Sequence, residues 1–202
     1  MGSTILDSIL ELLAPLGCAA CDAPSEGALF CNTCEATTQM HDGPLGLYEY
    51  GGAVADAIKR LKYEGRTDLG ARLGAELAEA ALRLGRRVDV VVPVPMHPLR
   101  RKERGYNQSA LLAHPVAKRL GVPLDLSRLR RVRPAPPQAE LSQFERRRNL
   151  EGAFEARPDR ARPRVLLVDD VCTTGTTLSV AEDALYAAGA ERVERLVFAV
   201  AT

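Results

Sequence analysis

Residues 165–177, VLLVDDVCTTGTT, narrow the fold of this chain more than any other stretch. The run RVLLV at 164–168 reads as a strand buried on both faces, because no polar residue alternates within it. It ends in two carboxylates, Asp169 and Asp170, and a Thr-Thr-Gly-Thr-Thr turn follows. Beyond the turn, Leu178, Ala181 and Leu185 share one helical face, Gly189 supplies a left-handed stop, and residues 193–201 form a closing strand. Strand, helix and strand at this spacing make a βαβ unit, so the expected fold is α/β, a parallel sheet flanked by helices.

The same stretch carries chemistry. Open α/β sheets bind ligands at the carboxyl ends of their strands. Small residues let a ligand approach the backbone, and the turn amides, four threonine hydroxyls and a helix N-terminus all offer donors to an anion. The adjacent acids would repel that anion, but they suit the cis hydroxyls of a ribose or a Mg²⁺ bound to it. A ribose 5-phosphate fits both halves. The alternative is a plain capping turn, which uses one threonine and one acid and leaves the rest of the motif without a purpose.

The remaining pattern agrees with an alternating fold. Residues 88–94 (VDVVVPV) read as a second buried strand, and residues 53–61 as a short helix. Leu69, Leu73 and Leu77 mark a longer helix, capped by Thr67 or Asp68 and running to about Leu84. A helix over 108–120 should kink or divide at Pro115, which lacks a backbone donor. Residues 37–44 read as a linker. Residues 128–143, with three prolines, read as an exposed and mobile connection.

Ahead of this domain sit an amphipathic helix over residues 4–13 and four cysteines, Cys18-x2-Cys21-x9-Cys31-x2-Cys34. Two closely spaced pairs in a loop too poor in apolar residues to order itself point to a structural metal site, with four sulfurs leaving no open position for catalysis. Zinc is the expected ion and iron the lesser alternative. Two disulfides or a redox CxxC are the competing readings, both disfavoured in a reducing compartment. The expected division is residues 1–44 for the helix and zinc module and 45–202 for the α/β domain. His41 lies near the module, but four sulfurs already complete a shell. Cys172 reads as a small buried hydrophobe.

No apolar run approaches the roughly 18 residues of a membrane span. The first sixteen residues carry Asp7 and Glu11 and no Lys or Arg, unlike a secretory signal, so a cytoplasmic location is expected. Net charge is +1 overall, yet residues 97–150 hold thirteen Lys/Arg against four Asp/Glu. That segment is either a solvated arginine-rich face or a surface for anions. Tyr48, Tyr50, Tyr63 and Tyr106 are the aromatics available for base stacking, a thin set for a nucleic-acid platform.

The 165–177 run resembles the phosphoribosyl pyrophosphate (PRPP) signature of type I phosphoribosyltransferases. The whole chain resembles the ComF family associated with natural competence, on the cysteine module, LKYEGR (61–66), VPVPMHPLRRKERGYNQ (92–108), QAELSQFERRRNLEGAF (138–154) and VLLVDDVCTTGTT, in that order. The resemblance implies a type I phosphoribosyltransferase-like sheet. It implies that Asp169 and Asp170 meet the ribose hydroxyls of PRPP, and that Thr173, Thr174, Gly175, Thr176 and Thr177 hold its 5-phosphate. Arg100, Arg101, Lys102 and Arg104 would form the pyrophosphate loop, with His97 beside it. Gln138, Arg146 and Asn149 would belong to a flexible loop that closes over the reaction centre, and Arg146, Arg147 and Arg148 would clamp phosphates or single-stranded DNA.

The function implied is PRPP binding in a competence and DNA-uptake protein, with Mg²⁺-dependent transfer of phosphoribosyl to an acceptor that no motif names. The alternative is a non-enzymatic factor that uses the fold to bind single-stranded DNA or DNA-uptake proteins. A third reading is a regulator that senses PRPP.

Overall fold

The computed structural model describes residues 17–133 and 152–201. Along the chain these form α1 (Asn32–Glu35), β1 (Gly46–Glu49), α2 (Gly52–Tyr63), α3 (Asp68–Arg83), β2 (Val90–Pro93), α4 (Pro98–Arg104), α5 (Gln108–Leu120), β3 (Leu129–Arg131), β4 (Phe154–Ala156), β5 (Arg164–Cys172), α6 (Thr176–Ala187) and β6 (Arg192–Val200). Four strands make a parallel sheet in the order β1-β6-β5-β2, and β3 pairs with β4 in a separate antiparallel ribbon.

Strand alternation sorts the core into two sides. Leu166 and Val168 of β5, with Leu196 and Phe198 of β6, meet Ile58 of α2, Leu73 of α3 and Leu112 of α5. Val165 and Leu167 point the other way, toward Leu178 and Ala181 of α6 and toward Leu129 and Phe154 of the ribbon. The sheet is therefore covered on both faces, as its unbroken apolar strands require. Cys18, Ala19 and Phe30 of the cysteine module join the first of these cores, with Phe30 edge-on to Tyr48 at 6.2 Å. Among the described residues no helix is long and apolar enough to cross a membrane.

Three expectations need correction. β5 does not stop at Val168 but runs through both acids to Cys172, because β6 continues beside it: Asp169 is in register with Val197 and Cys172 with Val200, and the Ala201 amide donates to the Cys172 carbonyl at 2.8 Å. Of the kink or division expected at Pro115, the division does not occur, since α5 is one helix to Leu120. Part of the supposed mobile connection is ordered. Residues 129–131 are β3, and the buried Arg128 pairs with Asp159 at 2.8 Å and Asp125 at 3.3 Å. Residues 134–143 lie outside the described residues, as does the expected helix at 4–13. The linker at 37–44 is tied to β1, through Glu49 N–H to Gln39 O at 2.8 Å and His41 N–H to Leu47 O at 3.0 Å.

Pro115 packs closely against α3. Gly70 and Gly74, one turn apart on α3, let the two helices approach until a Cβ at position 74 would lie 2.8 Å from Leu112 O and 2.8 Å from Pro115 Cγ. Gly74→Ala is expected to destabilise the protein by about 1–3 kcal/mol through overpacking, although alanine is the better helix former by ~1 kcal/mol. Thermal denaturation checks this; a stabilised variant would mean the helices have room to part.

Candidate functional site

The carboxyl ends of β2 and β5 open on one rim, and the acid pair sits there. Asp169 and Asp170 are 8% and 4% exposed. Asp169 Oδ1 accepts from Ser109 Oγ at 2.6 Å and from the Asp170 amide at 2.9 Å, and Asp170 Oδ1 accepts from the Val171 amide at 2.7 Å. Burial, then the neighbouring Asp170 charge, push Asp169 up to about 7, against the opposing pull of Ser109, the Asp170 amide and Lys62. Lys62, from the end of α2, brings its ammonium within 2.9 Å of Asp170 Oδ2, an ion pair whose angle leaves that oxygen without an aligned hydrogen bond. Burial works against the Lys62 charge, but Asp170 and Asp169 prevail and hold its pKa above the ordinary range.

The threonine turn follows on the strand. Gly175 takes φ +72°, the left-handed conformation that lets the chain turn sharply into α6. The Thr174 and Thr176 hydroxyls bond each other at 2.8 Å, and Thr177 faces the acid pair across a cavity of about 190 Å³. Lys62, Arg100, Arg104 and Arg131 line the same cavity, Lys62 in contact with Asp170. The half-buried Arg131 lies near Arg100 with its guanidinium over the Phe154 ring at 5.3 Å, and Arg104 lies over Tyr63 at 5.2 Å. Acids, a threonine hydroxyl and cations meet in one cavity, which suits a ligand with a neutral polar middle and anionic ends.

The RGYNQ stretch builds the rim. Asn107 caps α5 by accepting from the Ser109 amide and donates to Val94 O at 3.0 Å, which fixes Ser109 under Asp169. Gln108 accepts from Arg104 at 2.8 Å, and the Tyr106 hydroxyl bonds Leu61 O.

On the far side of α2, the sulfurs of Cys18, Cys21, Cys31 and Cys34 all lie within 4.8 Å of one another, and none is in a disulfide. The 3.8 Å between Cys21 and Cys31 and the 3.6 Å between Cys34 and Cys21 match the ~3.8 Å edge of a sulfur tetrahedron with metal–sulfur bonds of about 2.3 Å. Although burial opposes it, amides of Cys31, Ala20 and Cys21 draw Cys18 down to about 6. Burial and the other three sulfurs push Cys34 up. Four thiols this close can ionise together only around a cation, so the cluster can hold a metal ion. Three arginines clamp the module to the α/β core: Arg60 donates to Ala19 O at 3.0 Å, Arg72 to Gly17 O at 2.6 Å and Ala28 O at 2.7 Å, and Arg66 pairs with Asp22 at 2.7 Å.

The model of the phosphoribosyl transferase domain matches residues 67–201. DNA utilization protein YhgH of Salmonella typhimurium is 31% identical over 183 residues, covering 88% of this chain and 81% of that protein. Competence protein F of Haemophilus influenzae is 30% identical over 83% of this chain and 76% of its own length. Competence protein ComFC of Bacillus subtilis is 27% identical over 85% and 72%. The chain belongs to the ComF family of phosphoribosyltransferase-domain proteins.

In this ComF chain the expected site residues are distributed unevenly. Asp169, Asp170 and Thr177 share the cavity, with Thr173, Thr174, Gly175 and Thr176 in the adjoining turn. The expected pyrophosphate loop is largely helix, and its cations divide. Arg100 and Arg104, one turn apart, face the acids, whereas Arg101 and Lys102 line a separate cavity of about 880 Å³ with Leu126 and Arg130. Gln138, Arg146, Arg147, Arg148 and Asn149 lie outside the described residues. His97 caps α4, its Nδ1 accepting from the Leu99 amide, and His41 pairs with Glu49 at 2.7 Å. Of the four tyrosines, Tyr48 is buried and Tyr106 is anchored, while Tyr63 stays 74% exposed at the cavity edge. Sequence reasoning missed Lys62, Ser109 and Arg131; the LKYEGR and RGYNQ segments were the signals for the first two.

Proposed function

We propose that this ComF protein binds PRPP at the rim of β5, its ribose on Asp169 and Asp170 and its 5-phosphate on Thr173, Thr174, Gly175, Thr176 and Thr177. The observation that carries this reading is the buried acid pair sharing one cavity with Thr177 of a hydroxyl-rich turn and with Arg100, Arg104 and Arg131. Carboxylates accept from a diol and arginines attract phosphates, so a sugar bearing phosphate at each end is the ligand this set of groups favours. Arg100 and Arg104 would take the pyrophosphate, with Arg101 and Lys102 on the outer face of the same helix.

Mg²⁺ fits this donor set, since Asp170 Oδ2 is a buried hard oxygen without an aligned hydrogen bond. Bound with PRPP, the ion would neutralise the pyrophosphate. In a transfer reaction the chain's own residues would hold the ribose diol, fix the anomeric carbon, and offset charge on the leaving group at Arg100 and Arg104. At the cysteine cluster the ion we assign is Zn²⁺, held structurally by Cys18, Cys21, Cys31 and Cys34. The four free thiols support a reducing, cytoplasmic setting.

The relatives' names, competence and DNA utilization, support a role in DNA uptake, with PRPP-driven transfer and non-enzymatic binding of single-stranded DNA or uptake proteins both built on this fold. Calorimetric titration of the metal-replete protein with PRPP and Mg²⁺ tests the site, with ribose 5-phosphate, pyrophosphate and a single-stranded oligonucleotide alongside. PRPP is expected to bind more tightly than either of its fragments. Absence of PRPP binding in a folded protein overturns the reading, and oligonucleotide binding that does not weaken with salt rejects phosphate contacts.

A further inference from the structure

The LKYEGR segment has a lysine that neither the diol nor the phosphates require. We propose that Lys62 is a positioning residue of this site: its ammonium is the built-in counter-cation of the Asp169–Asp170 pair and competes with a divalent cation for those carboxylates. The inference rests on the reading of the rim as a sugar-phosphate site only in the identity of the ligand; the competition itself is a property of the three side chains.

Four observations carry it. The contact is short and sheltered, 2.9 Å between side chains that are 20% and 5% exposed. A charge buried this far without a partner is strongly disfavoured, so the lysine and the carboxylates hold each other in place. The end of α2 is fixed by the two residues that precede Lys62. Leu61 is fully buried and its carbonyl accepts from Tyr106, while Arg60 is bonded to Ala19 O and Asp22 of the cysteine module. The ammonium is therefore delivered by the fold and is not a surface side chain that happens to reach an acid. Asp170 Oδ2, the oxygen it pairs with, has no aligned hydrogen bond, so a better-coordinated cation has something to gain there.

Finally, Lys62 has somewhere to go. It forms part of the wall between the 190 Å³ cavity and a neighbouring one of about 590 Å³ bounded by Tyr63, Arg100, Arg104 and Tyr106. A flexible four-carbon stem can swing the ammonium between them. Among the described residues, the charged groups facing the pair are Lys62 from α2, Arg100 and Arg104 from α4 and Arg131 from β3, and of these only Lys62 is in direct contact with a carboxylate.

The test is a gain of binding, which misfolding cannot mimic. Mn²⁺ binding in the absence of ligand, followed by electron paramagnetic resonance, is expected to tighten about tenfold or more in Lys62→Met, as removal of a cation within contact distance of a carboxylate implies. Lys62→Arg, which keeps the charge, is expected to stay near wild type. Adding Asp170→Asn to Lys62→Met is expected to abolish the gain. In parallel, wild-type protein is labelled with an amine reagent and mapped by mass spectrometry, with the exposed Lys59 as reference. Mn²⁺ is expected to raise labelling of Lys62 and leave Lys59 unchanged. Unaltered Mn²⁺ affinity in a folded Lys62→Met protein overturns the proposal; should that variant not fold, unaltered labelling of Lys62 in the wild type does so. If PRPP fails to bind while both Mn²⁺ results hold, the sugar-phosphate reading falls and the role of Lys62 stands.

Discussion

Replacing Asp169 and Asp170 together by asparagine is expected to weaken PRPP binding by about 10²- to 10⁴-fold. Each carboxylate would accept a hydroxyl of the ribose diol in a charge-assisted hydrogen bond, worth ~1.5–3 kcal/mol when the acceptor is ionised. Losing two such bonds removes about 3–6 kcal/mol, and each 1.4 kcal/mol is about tenfold in affinity. Calorimetry on the double variant reads this directly, and undiminished affinity rejects the acid pair as the ribose site. Binding should also follow pH. Asp169 stands at about 7, pushed up by burial and by Asp170, so it accepts fully from a hydroxyl only above that value, and affinity is expected to rise as pH passes upward through it.

Stability should run the opposite way. A carboxyl whose pKa is raised from 3.8 unfolded to about 7 folded binds more protons in the native state across that window. Its contribution is fully present below 3.8 and is lost as pH rises toward 7. Melting temperatures of wild type and Asp169→Asn, measured from pH 4 to 8, should therefore differ by a slope that falls with pH in the wild type alone. The single substitution leaves the Lys62–Asp170 pair intact, which isolates the effect.

What could be read in the sequence depended on how local the cause was. The βαβ unit and both buried strands were legible because β-branched runs and the 3.6-residue period are written in consecutive residues. The cysteine site was legible for the same reason, since each pair of ligands is set by a spacing of three. The extension of β5 was not legible. Two acids ordinarily end a strand, and only the length of β6 alongside keeps Asp169 and Asp170 in the ladder. The β3–β4 ribbon joins three residues, LRR, to three others more than twenty positions away, with no pattern in either. It brought Arg131 into the site without a sequence signal.

The division of the basic cluster was legible in principle. Pro98 at the first turn and Gly105 as a left-handed stop delimit a helix, and on a helix Arg100 and Arg104 share a face that Arg101 and Lys102 do not. Lys62 was hidden by its neighbours, because it follows Leu61 on the apolar side of α2 and reads as the helix's wet edge.

Stripping the metal from the cysteine cluster is expected to unfold residues 17–36 while the central sheet persists. The module has almost nothing else to order it. Its one helix is four residues long, has no buried residue, and is far below the length that sustains itself. Cys18, Ala19 and Phe30 are buried in the core, and Ala20, Leu29, Cys31 and Cys34 pack against it only partly buried. Structural zinc in small peptides supplies about 10–16 kcal/mol of apparent folding energy, and without it four sulfurs within 4.8 Å of one another must share one site as thiols. Chelation should release one equivalent of metal and expose four of the five thiols to a thiol reagent. Cys172, 6% exposed at the end of β5, should stay protected. Hydrogen exchange should rise over 17–36 and, through the Phe30–Tyr48 edge contact and the Tyr48–Phe198 contact at 5.3 Å, reach β1 at the sheet margin before β5 or β6. Arg60, Arg66 and Arg72 then lose their partners in the module. Arg60 lies two residues from Lys62, so metal loss should also loosen the lysine's hold on Asp170 and raise its amine labelling. Four thiols that stay unreactive after chelation, in protein shown to contain no metal, would reject a metal-dependent module and leave the clamp of arginines as its sole support.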